Sequence, residues 1–185
     1  MYSFNSVPKY YVMIITSPTS TAPDFQQREE RFGMTPLIVA IISEQVDLVH
    51  LLLEKGASPN CQEEVYGMTG LMFVVFQNDV GLAIALMLRG ANPNIQNSKA
   101  NTALLLAVEA NNRNDIVRLL LDKGADPNIQ GENGMTALMM AVAVNNRKVV
   151  EMIIEKRYNY LLTFQGTTRN PERKWFFLKF SVLHK

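Results

Sequence analysis

The sequence repeats itself with a period of about 34 residues, and this period constrains the fold more than any other feature. Threonines that each open a short apolar run are separated by 34, 33 and 34 residues: Thr35, Thr69, Thr102 and Thr136. A Gly-Ala pair, with Pro-Asn beginning three residues after the glycine, recurs every 34 residues at Gly56, Gly90 and Gly124. Landmarks that stay in phase over three or four copies indicate an array of similar structural units.

One copy of the unit reads as two short helices joined by a tight turn and followed by an extended loop. Apolar residues after Thr102 have the i, i+3, i+4 spacing of a buried helical stripe, and the threonine hydroxyl is placed to cap that helix. The Asn-rich stretch 111–114 ends the helix and contains one residue more than the same turn of the first copy. A second helix begins near Asp115 and ends at Gly124, where glycine permits a left-handed exit. Pro127 then turns the chain away, because proline cannot continue a helix.

The repeated motifs resemble those of the ankyrin repeat family. The first helices open with TPLIVA, TGLMFV, TALLLA and TALMMA, and the first three copies close with LLLEKGASPN, LMLRGANPN and LLLDKGADPN. The resemblance covers about residues 31–157 and implies an all-α solenoid of stacked helix-turn-helix units with β-turn finger loops. The family's histidine in the opening motif is absent here, so we expect apolar packing instead of a Thr–His hydrogen bond at the four replacing residues: Ile38, Met72, Leu105 and Met139.

We expect three segments along the chain. Residues 1–27 contain SPTSTAP and should form a poorly ordered N-terminal segment. The repeat domain spans 28–157, with repeats at about 31–64, 65–97, 98–131 and 132–157. It ends where Arg157 and Tyr158 stand in place of the Gly-Ala pair. Residues 158–185 form a non-repeat basic and aromatic tail, which either covers the last repeat or is exposed for a partner.

Charge and local composition distinguish the two ends from the repeats. The chain has a net charge of +1, but residues 156–185 contain seven Lys or Arg and one Glu, which leaves −5 for residues 1–155. The apolar run Tyr10–Ile15 is interpreted as a loose strand or a cover for the first repeat, and alternatively as the core of a signal peptide.

The sequence contains no convincing catalytic, cofactor or metal site. The loop Asp126–Gly131 begins like a calcium loop, but Ala137 stands where a bidentate Glu is needed, so we interpret the loop as a repeat turn. His50 and His184 are the only histidines, and no Ser-Asp pair groups with His50, which we expect to lie partly solvated on a helix. Cys61 is the only cysteine. We therefore expect a non-catalytic protein without cofactors in a reducing compartment, cytoplasmic or nuclear.

The resemblance implies a protein-protein interaction module that binds a partner protein or peptide on its concave face, as a monomer and without a small-molecule substrate. In this family the variable contact positions lie just before the repeat threonine and seven to eight residues after it. Carried over by position, the predicted contact residues are Phe32, Met34, Ile42, Val65, Tyr66, Met68, Phe76, Gln77, Lys99, Asn101, Glu109, Asn133 and Met135. Those of the first two repeats are mostly apolar at positions expected to face solvent, which is typical of an interface centre.

The sequence leaves two alternative functions open. The tail could serve as a membrane-surface or nucleic-acid adaptor, because Arg173, Lys174 and Lys179 stand beside aromatic residues. The resemblance also implies a possible substrate of an asparaginyl hydroxylase, since Asn60, Asn94 and Asn128 match the position that such enzymes modify in ankyrin loops. The proline before each asparagine departs from the preferred aliphatic residue.

Overall fold

A computed structural model describes residues 27–29, 32–111 and 113–164, with side chains described as far as Lys156. The chain divides into two compact units, Met1–Ile153 and Ile154–Lys185. The predictions for Tyr10–Ile15 and for the tail after residue 164 lie outside the described residues. The predicted domain boundaries stay a prediction.

The described residues form four helix pairs, each a short first helix followed by a second helix. In chain order the pairs are α1 (Pro36–Ile42) with α2 (Val46–Glu54), α3 (Gly70–Gln77) with α4 (Val80–Leu88), α5 (Ala103–Glu109) with α6 (Asn114–Asp122), and α7 (Ala137–Ala143) with α8 (Arg147–Phe164). Over the same residues, the only strand-like pairing is an isolated antiparallel bridge between Gln62 and Thr69. The predicted all-α fold is confirmed. None of the described helices is both long and apolar enough to cross a membrane.

The four repeat threonines cap the first helices, as the spacing predicted. Each hydroxyl oxygen accepts from the amide three residues further on, at donor–acceptor distances of 3.3 to 3.5 Å. That amide belongs to the residue that replaces the family's histidine. The caps therefore form without a histidine, from a hydroxyl and a backbone amide alone: Thr35 with Ile38, Thr69 with Met72, Thr102 with Leu105, and Thr136 with Met139.

Three of the second helices end at a glycine in the left-handed conformation. Gly56, Gly90 and Gly124 have φ of 94°, 88° and 94°, and the amide of the alanine after each donates to a carbonyl five residues back. This closure satisfies carbonyls that the helix end would otherwise leave unpaired. The fourth repeat has no such glycine, and α8 runs on past Arg157 to Phe164.

The first helices pack side by side, α1 with α3, α3 with α5, and α5 with α7. Ile38, Met72 and Leu105 are each 1% exposed, so the predicted apolar packing is confirmed in three repeats. It is wrong for Met139, which is 54% exposed. Among the described residues α7 is the last first helix, so no further first helix packs over it. Val142 on the same helix is 63% exposed, although its counterpart Ile41 is fully buried.

The extra residue of the third repeat lies in the turn between its two helices. Residues 110–113 separate α5 from α6, whereas residues 43–45 separate α1 from α2. Arg113, at the end of the longer turn, donates from its guanidinium to the carbonyl of Val75 in the preceding repeat. The turn thus absorbs the insertion, as predicted, and also contacts the neighbouring repeat.

Asparagine side chains join the loops of successive repeats. Asn60 donates through Nδ2 to the Gly90 carbonyl (3.0 Å), and its Oδ1 accepts from the Asn92 amide (2.7 Å). Asn94 makes the same pair of bonds with the Gly124 carbonyl (3.1 Å) and the Asp126 amide (2.8 Å). These two side chains therefore form an asparagine ladder that holds neighbouring repeats in register.

Asn128 is the third asparagine of this set, and its bonding differs. Its Nδ2 and its backbone amide both donate to Oδ1 of Asp126, each at 2.9 Å, within its own turn. Asn128 is therefore a natural control for the two asparagines of the ladder.

We expect Asn94→Ala to lower the free energy of unfolding by about 1–2 kcal/mol, because it removes two hydrogen bonds between repeats and a net hydrogen bond contributes about 0.5–1.5 kcal/mol. Asn128→Ala should cost less, about 0.5 kcal/mol, since it removes only contacts within one turn. Urea denaturation followed by far-UV circular dichroism measures both variants. Equal losses would contradict the role of the asparagine ladder.

Candidate partner-binding surface

Extended loops connect each second helix to the next first helix, and we call their terminal parts fingers: residues 28–35, 62–69, 96–102 and 130–136. The second finger is organised around the carboxylate of Glu63, which is 3% exposed. This carboxylate accepts from the backbone amides of Val65, Tyr66 and Met68, each at 2.8 Å. Hydrogen bonds to an ionised acceptor are stronger than neutral ones, so Glu63 fixes the backbone of this finger tightly.

The residues 34 positions before and after Glu63 also accept hydrogen bonds from backbone amides of their own fingers. Glu29 accepts from the Met34 amide (3.3 Å), and Asn97 accepts through Oδ1 from the Asn101 amide (2.9 Å). In the fourth finger the position is occupied by Gly131, where an added Cβ would lie only 2.2 Å from the Asn101 Oδ1 atom. Three fingers are therefore fixed by their own side chains, and the fourth packs directly against its neighbour.

Backbone hydrogen bonds between fingers place their tips side by side. The Glu64 amide donates to the Phe32 carbonyl (3.0 Å), and the Ser98 amide donates to the Tyr66 carbonyl (2.8 Å). Phe32 and Tyr66 therefore occupy equivalent positions on adjacent fingers. Side chains at these tips form a row that crosses the repeats.

A second set of side chains runs along the bases of the fingers, and the sequence reading missed it. Gln62 donates through Nε2 to the Gln96 carbonyl (2.9 Å), and Gln96 donates to the Gln130 carbonyl (2.9 Å). Arg28 begins the row by donating to the Gln62 carbonyl (2.7 Å). The recurrence of glutamine at an interval of 34 residues was a sequence signal that could have revealed this glutamine ladder.

The predicted contact residues differ widely in exposure. Phe76, Tyr66 and Val65 have exposed fractions of 51%, 54% and 48%. Lys99, Glu109 and Asn133 are also exposed, and four others are half-buried: Phe32, Ile42, Gln77 and Met135. These ten residues are accessible in whole or part, and their role in binding stays a prediction.

Three predicted contact residues are buried, and the expectation that they face solvent is wrong. Met34, Met68 and Asn101 are 4%, 6% and 5% exposed. Each stands immediately before the threonine that caps a first helix, where the backbone returns from the finger into the core. The Met68 sulfur accepts from Asn97 Nδ2 (3.3 Å), and Asn101 Oδ1 accepts from the Glu132 amide (3.1 Å). These side chains support the fingers from beneath, so they are unsuited to direct contact with a partner.

The accessible residues change in character along the array. The first two repeats present Phe32, Ile42, Val65, Tyr66 and Phe76, all apolar or aromatic. The accessible residues of the third and fourth repeats have charged and amide side chains instead, apart from the half-buried Met135. There Lys99 Nζ lies 3.4 Å from a carboxylate oxygen of Glu132, and the two exposed side chains form an ion pair across adjacent fingers.

One of the accessible residues already has a structural contact. Gln77 donates through Nε2 to the Ile41 carbonyl of the preceding repeat at 2.7 Å. Its amide therefore helps to join two repeats and is only partly available to a partner.

The residues considered for chemistry do not come together. His50 is exposed on α2, as expected, and the Asp126–Gly131 segment forms the turn described above. Cys61 is half-buried and forms no disulfide among the described residues. Among the described residues, no group of three His, Cys, Asp or Glu side chains could hold a metal ion.

Comparison with known protein families gives two matches. A family model described as "Ankyrin repeats (3 copies)" matches residues 71–163, half of the chain. A second model, described as "Ankyrin repeats (many copies)", matches residues 37–88. Comparison with curated proteins finds no match.

Glu63→Ala should loosen the second finger, because three backbone amides lose their acceptor. We expect the free energy of unfolding to fall by about 2–3 kcal/mol, since each buried amide left unsatisfied costs about 1–3 kcal/mol and water will replace part of the loss. Hydrogen exchange measured by NMR should accelerate at Val65, Tyr66 and Met68.

The neighbouring Glu64→Ala is the matched control. The side chain of Glu64 is exposed, lies against Gly33 and forms a surface ion pair with Arg28 at 3.5 Å, so its loss should cost less than about 1 kcal/mol. Unchanged exchange at the three amides in Glu63→Ala would contradict the structural role of that carboxylate.

Proposed function

The chain belongs to the ankyrin repeat family, and we propose that it is a non-catalytic interaction module that binds a partner protein or peptide through its fingers and the ends of its first helices, on the concave face. Ankyrin repeats are generally protein-interaction modules. The observation that carries the proposal is the exposure of Tyr66 and Phe76, two aromatic side chains that are each more than half accessible on repeat two.

Exposed aromatic side chains at these positions favour a binding role over a packing role. Fully burying a large apolar side chain contributes about 1.5–3 kcal/mol, and Tyr66 and Phe76 retain about half of that for a partner. Aromatic residues also dominate the centres of protein interfaces. Because the fold does not bury these two side chains, their removal should affect binding far more than folding.

The remaining accessible positions fit the edge of the same interface. Lys99, Glu109 and Asn133 lie on repeats three and four, where charged and amide groups give orientation and specificity more than affinity. We infer a partner whose apolar part contacts repeats one and two and whose polar part contacts repeats three and four. Residue Cys61 provides no disulfide within the chain, which suits action in the cytoplasm or nucleus.

The three asparagines that an asparaginyl hydroxylase would modify differ in the accessibility of their side chains. The side chains of Asn60 and Asn94 are bound to the next repeat, so an enzyme would have to open the asparagine ladder to reach them. Among the described residues, Asn128 bonds only within its turn, and it is the most accessible of the three for such an enzyme. Intact-mass measurement after coexpression with an asparaginyl hydroxylase tests this alternative.

The tail-mediated adaptor concerns residues outside the described part of the chain.

We expect Tyr66→Ala and Phe76→Ala to abolish capture of the partner in a pull-down, with a thermal melt, followed by circular dichroism, that is nearly unchanged. The physical reason is that both side chains are more than half exposed, so their removal leaves no cavity in the core. Val142→Ala is the matched control, because it removes an exposed apolar side chain of repeat four and should preserve capture. Loss of fold in the Tyr66 or Phe76 variants would instead assign those residues to the core, and retained capture would refute the proposed surface.

A further inference from the structure

The second helices carry a second accessible surface, which differs from the fingers. Helices α2, α4 and α6 are neighbours, and each exposes one stripe that is turned away from the helices it packs against. The glycine exits 34 residues apart place equivalent positions at the same level on the three helices. The stripes can therefore be compared residue by residue.

The stripe of α4 is apolar where its neighbours are polar or charged. Ile84 and Leu88 are 38% and 69% exposed, and Gly81 on the same stripe is also exposed. The equivalent exposed positions of the neighbouring helices are occupied by Asp47, His50 and Glu54 on α2 and by Asp115, Arg118 and Asp122 on α6. An apolar centre with a polar rim is the organisation of a protein interface.

The small residues of this stripe allow a close approach. Gly81 has no side chain and Ala85 only a methyl group, and they precede the two large side chains by three residues each. A helix that packs here can come near the α4 backbone while Ile84 and Leu88 fill the space beside it. The fold itself does not require this composition, since the equivalents of Gly81, Ile84 and Leu88 on α2 and α6 are polar or charged, and those of Ala85 are the larger Leu51 and Leu119.

We propose that this α4 stripe is the centre of a homodimer, in which α4 packs antiparallel against α4 of a second copy. A two-fold axis across the helix, between Ile84 and Leu88, sets Ile84 against the partner's Leu88 and Leu88 against the partner's Ile84. Such an interface is isologous, because the same residues of both copies make it. The dimer differs from the monomer that the sequence led us to expect.

The charges on either side of the stripe select this arrangement. In the antiparallel pairing, α6 faces α6 of the second copy, so that Arg118 lies opposite the partner's Asp122 and Asp122 lies opposite the partner's Arg118. On the other side, His50 lies opposite the partner's Glu54. Opposite charges therefore meet along the α6 edge, and an imidazole meets a carboxylate along the α2 edge.

The parallel pairing is disfavoured by the same residues. It would bring α2 against α6 of the second copy, with Glu54 facing the partner's Asp122 and His50 facing the partner's Arg118. Two carboxylates opposite each other would then lie on each side of the apolar centre, and such contacts oppose association. Charge complementarity thus favours a second copy in one orientation. With two large apolar side chains per copy, the dimer belongs to the small, reversible class of interfaces.

Sedimentation velocity of the full chain over a range of concentrations tests the dimer. We expect reversible dimerisation that weakens with added salt, because the edge contacts are ionic. Leu88→Glu should raise the dissociation constant at least tenfold by placing a carboxylate in the apolar centre. Val142→Glu, at a similarly exposed site on α7, should leave dimerisation unchanged, and far-UV circular dichroism of each variant verifies its fold.

A charge exchange tests the orientation. Arg118→Asp should weaken the dimer, because it sets two carboxylates opposite each other at both symmetric contacts, and the double variant Arg118→Asp with Asp122→Arg should restore it. A chain that is monomeric at every concentration overturns the proposal, and so does a dimer unaffected by Leu88→Glu. A dimer that the double variant fails to restore overturns the antiparallel arrangement. Tyr66 and Phe76 lie outside this surface. Tyr66→Ala and Phe76→Ala should therefore leave dimerisation intact even where they abolish partner binding.

Discussion

The structure depends on apolar burial between neighbouring repeats. Each first helix packs against the first helix of the neighbouring repeat, and the residues that replace the family's histidine lie on these helices. Ile38, Met72 and Leu105 are almost fully buried there, while Met139 on the last described first helix is half exposed. A single repeat could not bury these side chains by itself, so the stability of each repeat is a property of its neighbours as well as of its own sequence.

The elements set by local chemistry could be predicted from the sequence. Threonine caps, glycine exits and the longer third turn follow from short-range rules, and all three have the expected positions. The exposure of finger residues was harder to predict, because it depends on the path of a loop that returns to the core. Met34 and Met68 look like their exposed neighbours in sequence, yet they stand beneath the finger backbone. The burial of Glu63 was not predicted, because glutamate side chains are usually exposed. Here the carboxylate is buried because the folded finger brings three backbone amides to it.

The polar ladders explain how the chain can present apolar side chains without losing its fold. Backbone groups of the fingers are satisfied by Glu63 and by the glutamine ladder, while the Asn60–Asn94 ladder joins the turns that precede the fingers, so the tips need no packing of their own side chains. Tyr66 and Phe76 are therefore available to a partner, and on the second helices Ile84 and Leu88 are available to a second copy. The two proposed contacts use separate surfaces, which allows one chain to make both at once.

The most direct test of the account compares the loss of a buried methionine with the loss of an exposed methionine at the equivalent position of another repeat. Met72 and Met139 occupy equivalent positions after the capping threonine, but Met72 is 1% exposed and Met139 is 54% exposed. If burial between repeats stabilises the array, Met72→Ala should lower the free energy of unfolding by about 2–5 kcal/mol, and Met139→Ala by less than about 1 kcal/mol. Equal losses in urea denaturation, or a negligible loss for Met72→Ala, would contradict the account.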